Sequence, residues 1–136
     1  MDSASAHEYD AIIIGGGATG AGIARDCALR GLKIALVERF DIATGATGRN
    51  HGLLHSGARY AVTDGESARE CISENQILRR IARHCIEPTS GLFITLSDDD
   101  FGYQQTFINA CTSAGILAEA IDPTLARRIE PAVNPA

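Results

Sequence analysis

The order of apolar and polar positions divides the first forty residues into a strand, a helix and a second strand. Residues 9–14 (YDAIII) form an apolar run that ends in glycines, which is typical of a buried parallel strand. Small apolar residues recur at helical spacing over 18–30, and Gly31 predicts the helix end because glycine readily enters the left-handed conformation. Residues 33–38 (KIALVE) predict the second strand. Tight connections in this order predict a βαβ unit with parallel strands.

The remaining chain changes character after the second strand. Residues 41–60 are rich in Gly, Thr, Asn and His, which predicts a functional loop with a short helix inside it. Residues 66–84 predict an amphipathic helix whose inner face includes Cys71 and Asn75. The further elements predicted are strands at 91–96 (GLFITL) and 116–121, a helix at about 100–114 capped by Asp98 or Asp99, and a helix beginning at Asp122 and Pro123.

Composition excludes several classes of function. The 136 residues have a net charge of −5, 5% aromatic residues and no Trp, which argues against binding to nucleic acid. The four cysteines show no C-x-x-C spacing, so we expect free thiols, no metal site and a reducing, cytoplasmic setting. No apolar run approaches the roughly 20 residues of a membrane-spanning helix, so membrane association is expected to be peripheral or through partners.

The turn between the first strand and helix contains the motif G-x-G-x-x-G, formed by Gly15, Gly17 and Gly20. The spacing alone is weak evidence, but here a strand precedes it, a helix follows it and an acid ends the next strand. Gly15 permits the tight turn, Gly17 lets the backbone approach a pyrophosphate, and Gly20 lets the helix pack against the strand. Glu38 is placed to accept hydrogen bonds from ribose hydroxyls and to repel the 2′-phosphate of NADP. The pattern predicts a site for an adenine dinucleotide.

The motif does not by itself distinguish FAD from NAD, since both contain ADP. Three features favour FAD: the motif lies almost at the start of the chain, Arg39 follows the acid directly, and the polar loop 41–60 comes soon afterwards. A nicotinamide-binding module remains the alternative, and a third possibility is a truncated chain without activity.

Within that loop, the pattern D-x-A-x-x-x-T at 41–47 is followed by H-x-G-x-R-Y at 55–60. These motifs resemble the FAD-dependent glycerol-3-phosphate dehydrogenase family, within the D-amino-acid-oxidase-like flavoproteins. Most members have Gly where Ser56 stands and Leu where Ala58 stands, and the two departures match the A subunits of the anaerobic branch. The resemblance extends over 9–136 and corresponds to the amino-terminal portion of such proteins.

The resemblance implies an α/β, Rossmann-like FAD-binding domain that is incomplete over 9–136, after a flexible leader at 1–8. It implies oxidation of sn-glycerol 3-phosphate to dihydroxyacetone phosphate, with hydride transfer to flavin N5 and electrons passed to quinone. The implied partners are the B and C subunits, at the cytoplasmic face of the cell inner membrane. No catalytic residue is assigned within this chain, because the general base of the family lies later in the sequence. We therefore expect residues 1–136 in isolation to bind FAD weakly or not at all and to be inactive.

The resemblance also assigns residues by position. Arg59 and Tyr60 match the pair near the substrate phosphate, where a guanidinium can bind phosphate through two hydrogen bonds. Without the resemblance, a role for Arg59 in bracing the loop would be an equal alternative. The residues implied to bind the cofactor are the turn Gly15, Gly16, Gly17, Ala18, Thr19 and Gly20, then Glu38 at the adenosine ribose with Arg39 beside it, and Thr47, Asn50, Gly52 and Leu53 along the pyrophosphate and isoalloxazine.

Overall fold

The computed structural model describes residues 8–96 and 98–133. These residues belong to two compact units, Met1–Leu53 and Leu54–Ala136. Residues 1–7 of the predicted leader lie outside the described residues. The predicted single partial domain over 9–136 stays a prediction.

The first unit is the predicted βαβ arrangement. Strand β1 spans Ala11–Ile14, helix α1 spans Ala18–Leu29, and strand β2 spans Ile34–Val37. The strands pair in parallel, with Ile13 opposite Leu36. The predicted strand–helix–strand order and the parallel pairing are both confirmed, each element being one or two residues shorter at its ends.

Helix α1 ends as the sequence predicts. Gly31 has a φ of +80°, in the left-handed region that glycine enters without steric strain. Its amide donates to the carbonyl of Ala28 at 3.0 Å, and the amide of Leu32 donates to the carbonyl of Cys27 at 3.0 Å. This pair of bonds is a Schellman motif, which satisfies carbonyls that the end of a helix would otherwise leave unpaired.

Helix α1 packs closely against the end of β1. Ile13 is the buried residue of this strand, whereas Ile12 and Ile14 point to the other face and are exposed. A Cβ atom at Gly20 would overlap the carbonyl oxygen of Gly15 and would lie 3.4 Å from Cγ2 of Ile13. The predicted role of Gly20 in close packing of helix on strand is thus confirmed.

The second unit is helical. Helix α2 spans Gly65–Ile81, α3 spans Tyr103–Ser113 and α4 spans Pro123–Ile129, with single 3-10 turns at Ala58–Tyr60 and Arg83–Cys85. Its core consists mostly of small side chains, which lets the backbone of neighbouring segments approach closely. The buried members are Ala58, Ala61, Ala68, Cys111, Ala114 and Ile116.

Two of these helices have side-chain caps at their N-termini. The Asp64 carboxylate accepts from the Ser67 amide at 3.0 Å and from the Ser67 hydroxyl at 2.6 Å, and the bonds from Ser67 lower the pKa of Asp64. The Asp122 carboxylate accepts from the Thr124 amide at 2.7 Å, and Pro123 occupies the first helical position. The predicted start of the last helix is confirmed.

Three predictions for the second unit are wrong. Residues 91–96 and 116–121 are not strands, and the only sheet in the described ranges is the β1–β2 pair. A strand needs a neighbour for its backbone hydrogen bonds, and neither segment has a neighbouring strand among the described residues. The Phe93 ring instead contacts that of Phe107, with the two centroids 4.7 Å apart. The predicted cap by Asp98 or Asp99 is also wrong, because α3 begins after Gly102 with no side-chain cap. The Asp99 carboxylate instead accepts from the Leu96 amide at 2.7 Å.

Gly20 and Gly22, both within α1, provide a matched test of the close packing. We expect Gly20→Ala to lower the free energy of unfolding by roughly 1–3 kcal/mol, because the new methyl group is forced into the Gly15 carbonyl. Gly22→Ala meets no atom within 4 Å and should raise the free energy by about 0.5–1 kcal/mol through helix propensity. Urea unfolding followed by circular dichroism measures both. Equal effects of the two substitutions would contradict the packing described here.

The cap on α2 is tested at Asp64. Asp64→Ala should lower the thermal unfolding midpoint by a few degrees, because the Ser67 amide loses its acceptor. Asp64→Asn should lower it less, since an amide oxygen can still accept that bond. If the two variants melt at the same temperature as the unchanged protein, the cap does not stabilise the helix.

Candidate dinucleotide site

The turn between β1 and α1 has the backbone geometry that the glycine motif predicts. Gly15 has a φ of +109°, which an L side chain rarely adopts, and its amide donates to the carbonyl of Val37 at 2.8 Å. Gly17 is the N-cap residue of α1 and is in an extended conformation. The chain therefore leaves the strand, reverses within three residues and enters the helix, whose first amides have no partner within the helix itself.

Glu38, directly after β2, is bonded to the backbone of this turn. One carboxylate oxygen accepts from the Gly16 amide at 2.6 Å and the other accepts from the Phe40 amide at 2.9 Å. The Phe40 bond and then the Gly16 bond hold the pKa of Glu38 below its ordinary value. The ribose role assigned to Glu38 stays a prediction, and the structure adds a second role, since the same carboxylate ties the turn to the end of β2.

Thr47 makes the matching contact from the polar loop. Its hydroxyl oxygen accepts from the Ala18 amide at 2.9 Å, and it would lie 3.0 Å from a Cβ atom at Gly17. The amide of Ala43 donates to the carbonyl of Gly16 at 3.2 Å. The D-x-A-x-x-x-T segment thus folds back onto the glycine turn and is held there by its Ala and its Thr.

Three amides of the turn remain available to a ligand. Those of Gly17, Thr19 and Gly20 have no acceptor anywhere in the part of the chain that the structure describes. They lie at the N-terminus of a 12-residue helix, where the aligned peptide dipoles favour negative charge. Gly17 lines the cleft beside the turn and has no side chain that would occupy it. These features fit the diphosphate of a dinucleotide such as FAD.

An open cleft of ≈ 730 Å³ lies beside the turn. Gly17, Glu38 and Thr47 line it together with two cationic residues, Arg39 and Arg49. The Arg39 guanidinium carbon lies 4.3 Å from the centre of the neighbouring phenylalanine ring, an arrangement that attracts a cation to the ring face. The structure therefore brings four of the predicted residues to one place: Gly17, Glu38, Arg39 and Thr47.

Sequence reasoning missed part of this cleft. Phe40, Arg49 and the residues from Ala43 to Ala46 line it, although none was predicted to bind the cofactor. The short helix predicted within the polar loop is present as a 3-10 turn at Ala46–Arg49. Ala43 has a positive φ of 64°, which is unusual for a residue with a side chain. The sequence signal for Ala43 to Ala46 is their position within the D-x-A-x-x-x-T motif, but only the structure shows that this segment returns to the turn.

The other predicted residues are not part of the cleft lining. The Asn50 side chain donates to the Thr47 carbonyl at 2.6 Å and accepts from the Gly52 amide at 2.6 Å, so it shapes the loop. Leu53 is exposed. Arg59 and Tyr60 belong to the second unit, on its first 3-10 turn, and both are exposed. Their assignment to cofactor and substrate stays a prediction.

The cysteines form no disulfide among the described residues. Cys27, Cys71, Cys85 and Cys111 are free thiols, and burial raises the pKa of Cys111. Over residues 8–96 and 98–133, no cluster of three or more His, Cys, Asp or Glu side chains is arranged to hold a metal ion. No helix in those same ranges has the length and apolar character needed to cross a membrane.

Comparison with known proteins agrees with this geometry. The family model described as "FAD dependent oxidoreductase" matches residues 10–136. The chain is 78% identical over 136 residues to the A subunit of the anaerobic glycerol-3-phosphate dehydrogenase of Escherichia coli (strain K12). These aligned residues are 100% of this chain and 25% of that protein. The Haemophilus influenzae protein of the same name is 71% identical over 126 residues, covering 93% of this chain and 22% of that protein.

A more distant relative has a similar name. The A1 subunit of the anaerobic glycerol-3-phosphate dehydrogenase of Haloferax volcanii is 54% identical over 120 residues, which cover 88% of this chain and 20% of that protein. The chain therefore spans about a quarter of the length of the curated relatives it matches. No solved structure is significantly similar to it. The resemblance drawn from the two loop motifs is confirmed.

The Glu38 contacts make the turn sensitive to acid. Because the pKa of Glu38 is lowered on folding, its contribution to stability is complete above the ordinary value of 4.5 and is lost as pH falls through the lowered pKa. Other carboxylates titrate in the same range, so the test compares how the urea midpoint changes with pH in the unchanged protein and in Glu38→Gln. The urea midpoint of the unchanged protein should fall more than that of Glu38→Gln between pH about 6 and about 3. Parallel pH curves for the two proteins would show that these bonds are not linked to folding.

Proposed function

Because this chain belongs to the FAD-dependent oxidoreductase family, we propose that it is the flavin-binding part of an sn-glycerol-3-phosphate dehydrogenase. The family match selects FAD over the nicotinamide alternative. The observation that carries the proposal is identity of 54–78% to three proteins with that activity in their names. The reaction proposed is oxidation of the C2 hydroxyl of sn-glycerol 3-phosphate to give dihydroxyacetone phosphate.

The glycine turn would hold the cofactor by its diphosphate. The amides of Gly17, Thr19 and Gly20 supply donors, and the absence of a side chain at Gly17 permits close approach of the diphosphate to the backbone. Glu38 and Thr47 keep the other amides of the turn in place by bonding to them. FAD, when bound, supplies a hydride acceptor, and the contribution of this unit is to bind and orient it.

Arg59 and Tyr60 are proposed to bind the substrate. Within the described ranges the Arg59 guanidinium has no hydrogen-bond or ion-pair partner, and Tyr60 is 49% exposed. A planar guanidinium with free donors suits a phosphate monoester, to which it can donate two parallel bonds. An arginine that merely braced its loop would be bonded to that loop, and no such bond is present among the described residues.

We also propose the assembly and its location. The relatives are named as A subunits, which indicates a complex of several chains. We propose the B and C subunits as the partners, quinone as the final acceptor, and peripheral attachment at the cytoplasmic face of the inner membrane. The supporting observations are the names of the relatives and the lack, among the described residues, of a helix able to span a membrane.

The activity is tested with the purified intact protein and an artificial electron acceptor. We expect a flavin absorbance spectrum and reduction of the acceptor that depends on sn-glycerol 3-phosphate and yields dihydroxyacetone phosphate. A flavin-replete protein that oxidises no glycerol phosphate would refute the proposed function.

The substrate site is tested by Arg59→Lys in the same assay. Lysine keeps the charge but cannot form the paired bonds, so KM for sn-glycerol 3-phosphate should rise on the order of tenfold while flavin content is unchanged. The control is Arg128→Lys on the exposed side of α4, which should leave KM unchanged. Equal KM values for the Arg59 variant and the control would remove Arg59 from the substrate site.

A further inference from the structure

Asn75 on α2 is the one buried polar side chain in the described part of the chain, with 3% of its surface exposed. Its amide nitrogen donates to two successive backbone carbonyls, those of Leu54 at 3.3 Å and His55 at 3.1 Å. A buried amide needs such partners, because an unpaired polar group inside a protein is destabilising. The side-chain nitrogen thus binds the backbone of His55, the first residue of the H-x-G-x-R-Y motif, and of Leu54 directly before it.

Arg79 completes the arrangement from one turn further along α2. Its Nε donates to the amide oxygen of Asn75 at 2.9 Å. Because this bond requires an oxygen on that side, it fixes the orientation of the amide group and directs the nitrogen to the two carbonyls. Asn75 and Arg79 therefore act together as one hydrogen-bonded support.

The contact with α2 continues along residues 54–61, named here the 54–61 segment. Gly57 has a φ of +88°, and a Cβ atom there would lie 2.7 Å from Cβ of Cys71 and 2.8 Å from the carbonyl oxygen of Ala68. Ala58, next in the segment, belongs to the same buried cluster as Ala68. The contacts move back along the helix from Asn75 to Cys71 to Ala68 as the segment advances, so the two run antiparallel.

Arg59 and Tyr60 lie on this segment, between the buried residues Ala58 and Ala61. Both of their side chains are exposed, and no bond within the described ranges fixes the Arg59 guanidinium. The placement of the pair is therefore set by the backbone on which they stand. That backbone is held by the face of α2.

We infer that Asn75 is a positioning residue, which holds the 54–61 segment so that Arg59 and Tyr60 meet the phosphate of the substrate. The inference rests on the proposed function, because it takes those two residues as the phosphate-binding pair. It adds a residue that does not touch substrate and acts through the backbone of Leu54 and His55.

Asn75→Asp is the sharpest test, since the side chain keeps its size. The carboxylate still accepts from Arg79, but it presents an oxygen to the two carbonyls that previously received hydrogen bonds. The segment is then pushed away from α2 rather than held to it. Asn109→Asp on the exposed side of α3 is the matched control, because it makes the same chemical change away from the segment.

The measurements are KM and kcat for sn-glycerol 3-phosphate, the inhibition constant for inorganic phosphate, and flavin content of the intact protein. For Asn75→Asp we expect both KM and the phosphate inhibition constant to rise on the order of tenfold, with kcat within about twofold of the unchanged protein. A purely structural role would instead lower the amount of active enzyme and leave KM and the phosphate constant unchanged. That result, or equal constants for Asn75→Asp and Asn109→Asp, overturns the inference.

Arg79→Met covers the case in which Asn75→Asp does not fold. Arg79 is exposed, and methionine has a similar reach but no N–H donor, so the Asn75 amide stays in place and loses the bond that orients it. KM should rise severalfold without loss of flavin, and an unchanged KM in this variant overturns the inference. If the unchanged, flavin-replete protein oxidises no glycerol phosphate, the proposed function fails. If the unchanged protein is active and the Asn75 and Arg79 variants have the same KM as the Asn109→Asp control, the proposed function stands and the positioning role fails.

Discussion

The close approach of α1 to the exit of β1 is the constraint on which the site depends. The helix can begin where it does only because Gly20 has no side chain to meet the Gly15 carbonyl. That approach places the first amides of α1 beside the ends of two parallel strands, where Glu38 and Thr47 reach the turn from different segments. A ligand with negative charge then meets free donors on a backbone already fixed by its neighbours, so little ordering is required on binding.

The Glu38 and Thr47 contacts also show how the polar loop contributes. The two side chains bond the Gly16 and Ala18 amides and leave those of Gly17, Thr19 and Gly20 unpaired among the described residues, which are the donors proposed for a diphosphate. Arg39 and Arg49 add positive charge to the same cleft. The first unit therefore combines unpaired backbone donors with two cationic residues and the Glu38 carboxylate in one cleft, which suits a dinucleotide, with its phosphates and ribose hydroxyls, better than a small anion alone.

The elements predicted correctly from sequence are those whose cause is local. Gly31 ends α1, Asp122 and Pro123 begin α4, and the glycine turn follows from residues adjacent in sequence. The predicted strands at 91–96 and 116–121 are wrong because a strand depends on a partner that the apolar run itself does not specify. The contacts of Glu38, Thr47 and Asn75 join residues at least 20 positions apart, so their partners could not be identified from spacing, although Asn75 was correctly placed on the inner face of its helix.

The central claim is that the dinucleotide diphosphate binds the unpaired amides of the glycine turn. Hydrogen–deuterium exchange of the intact protein, compared with and without FAD, tests it most directly. The account predicts that exchange at Gly17, Thr19 and Gly20 slows on addition of FAD, because these amides gain phosphate acceptors. Flavin binding that leaves their exchange unchanged, and protects amides only elsewhere in the protein, would contradict it.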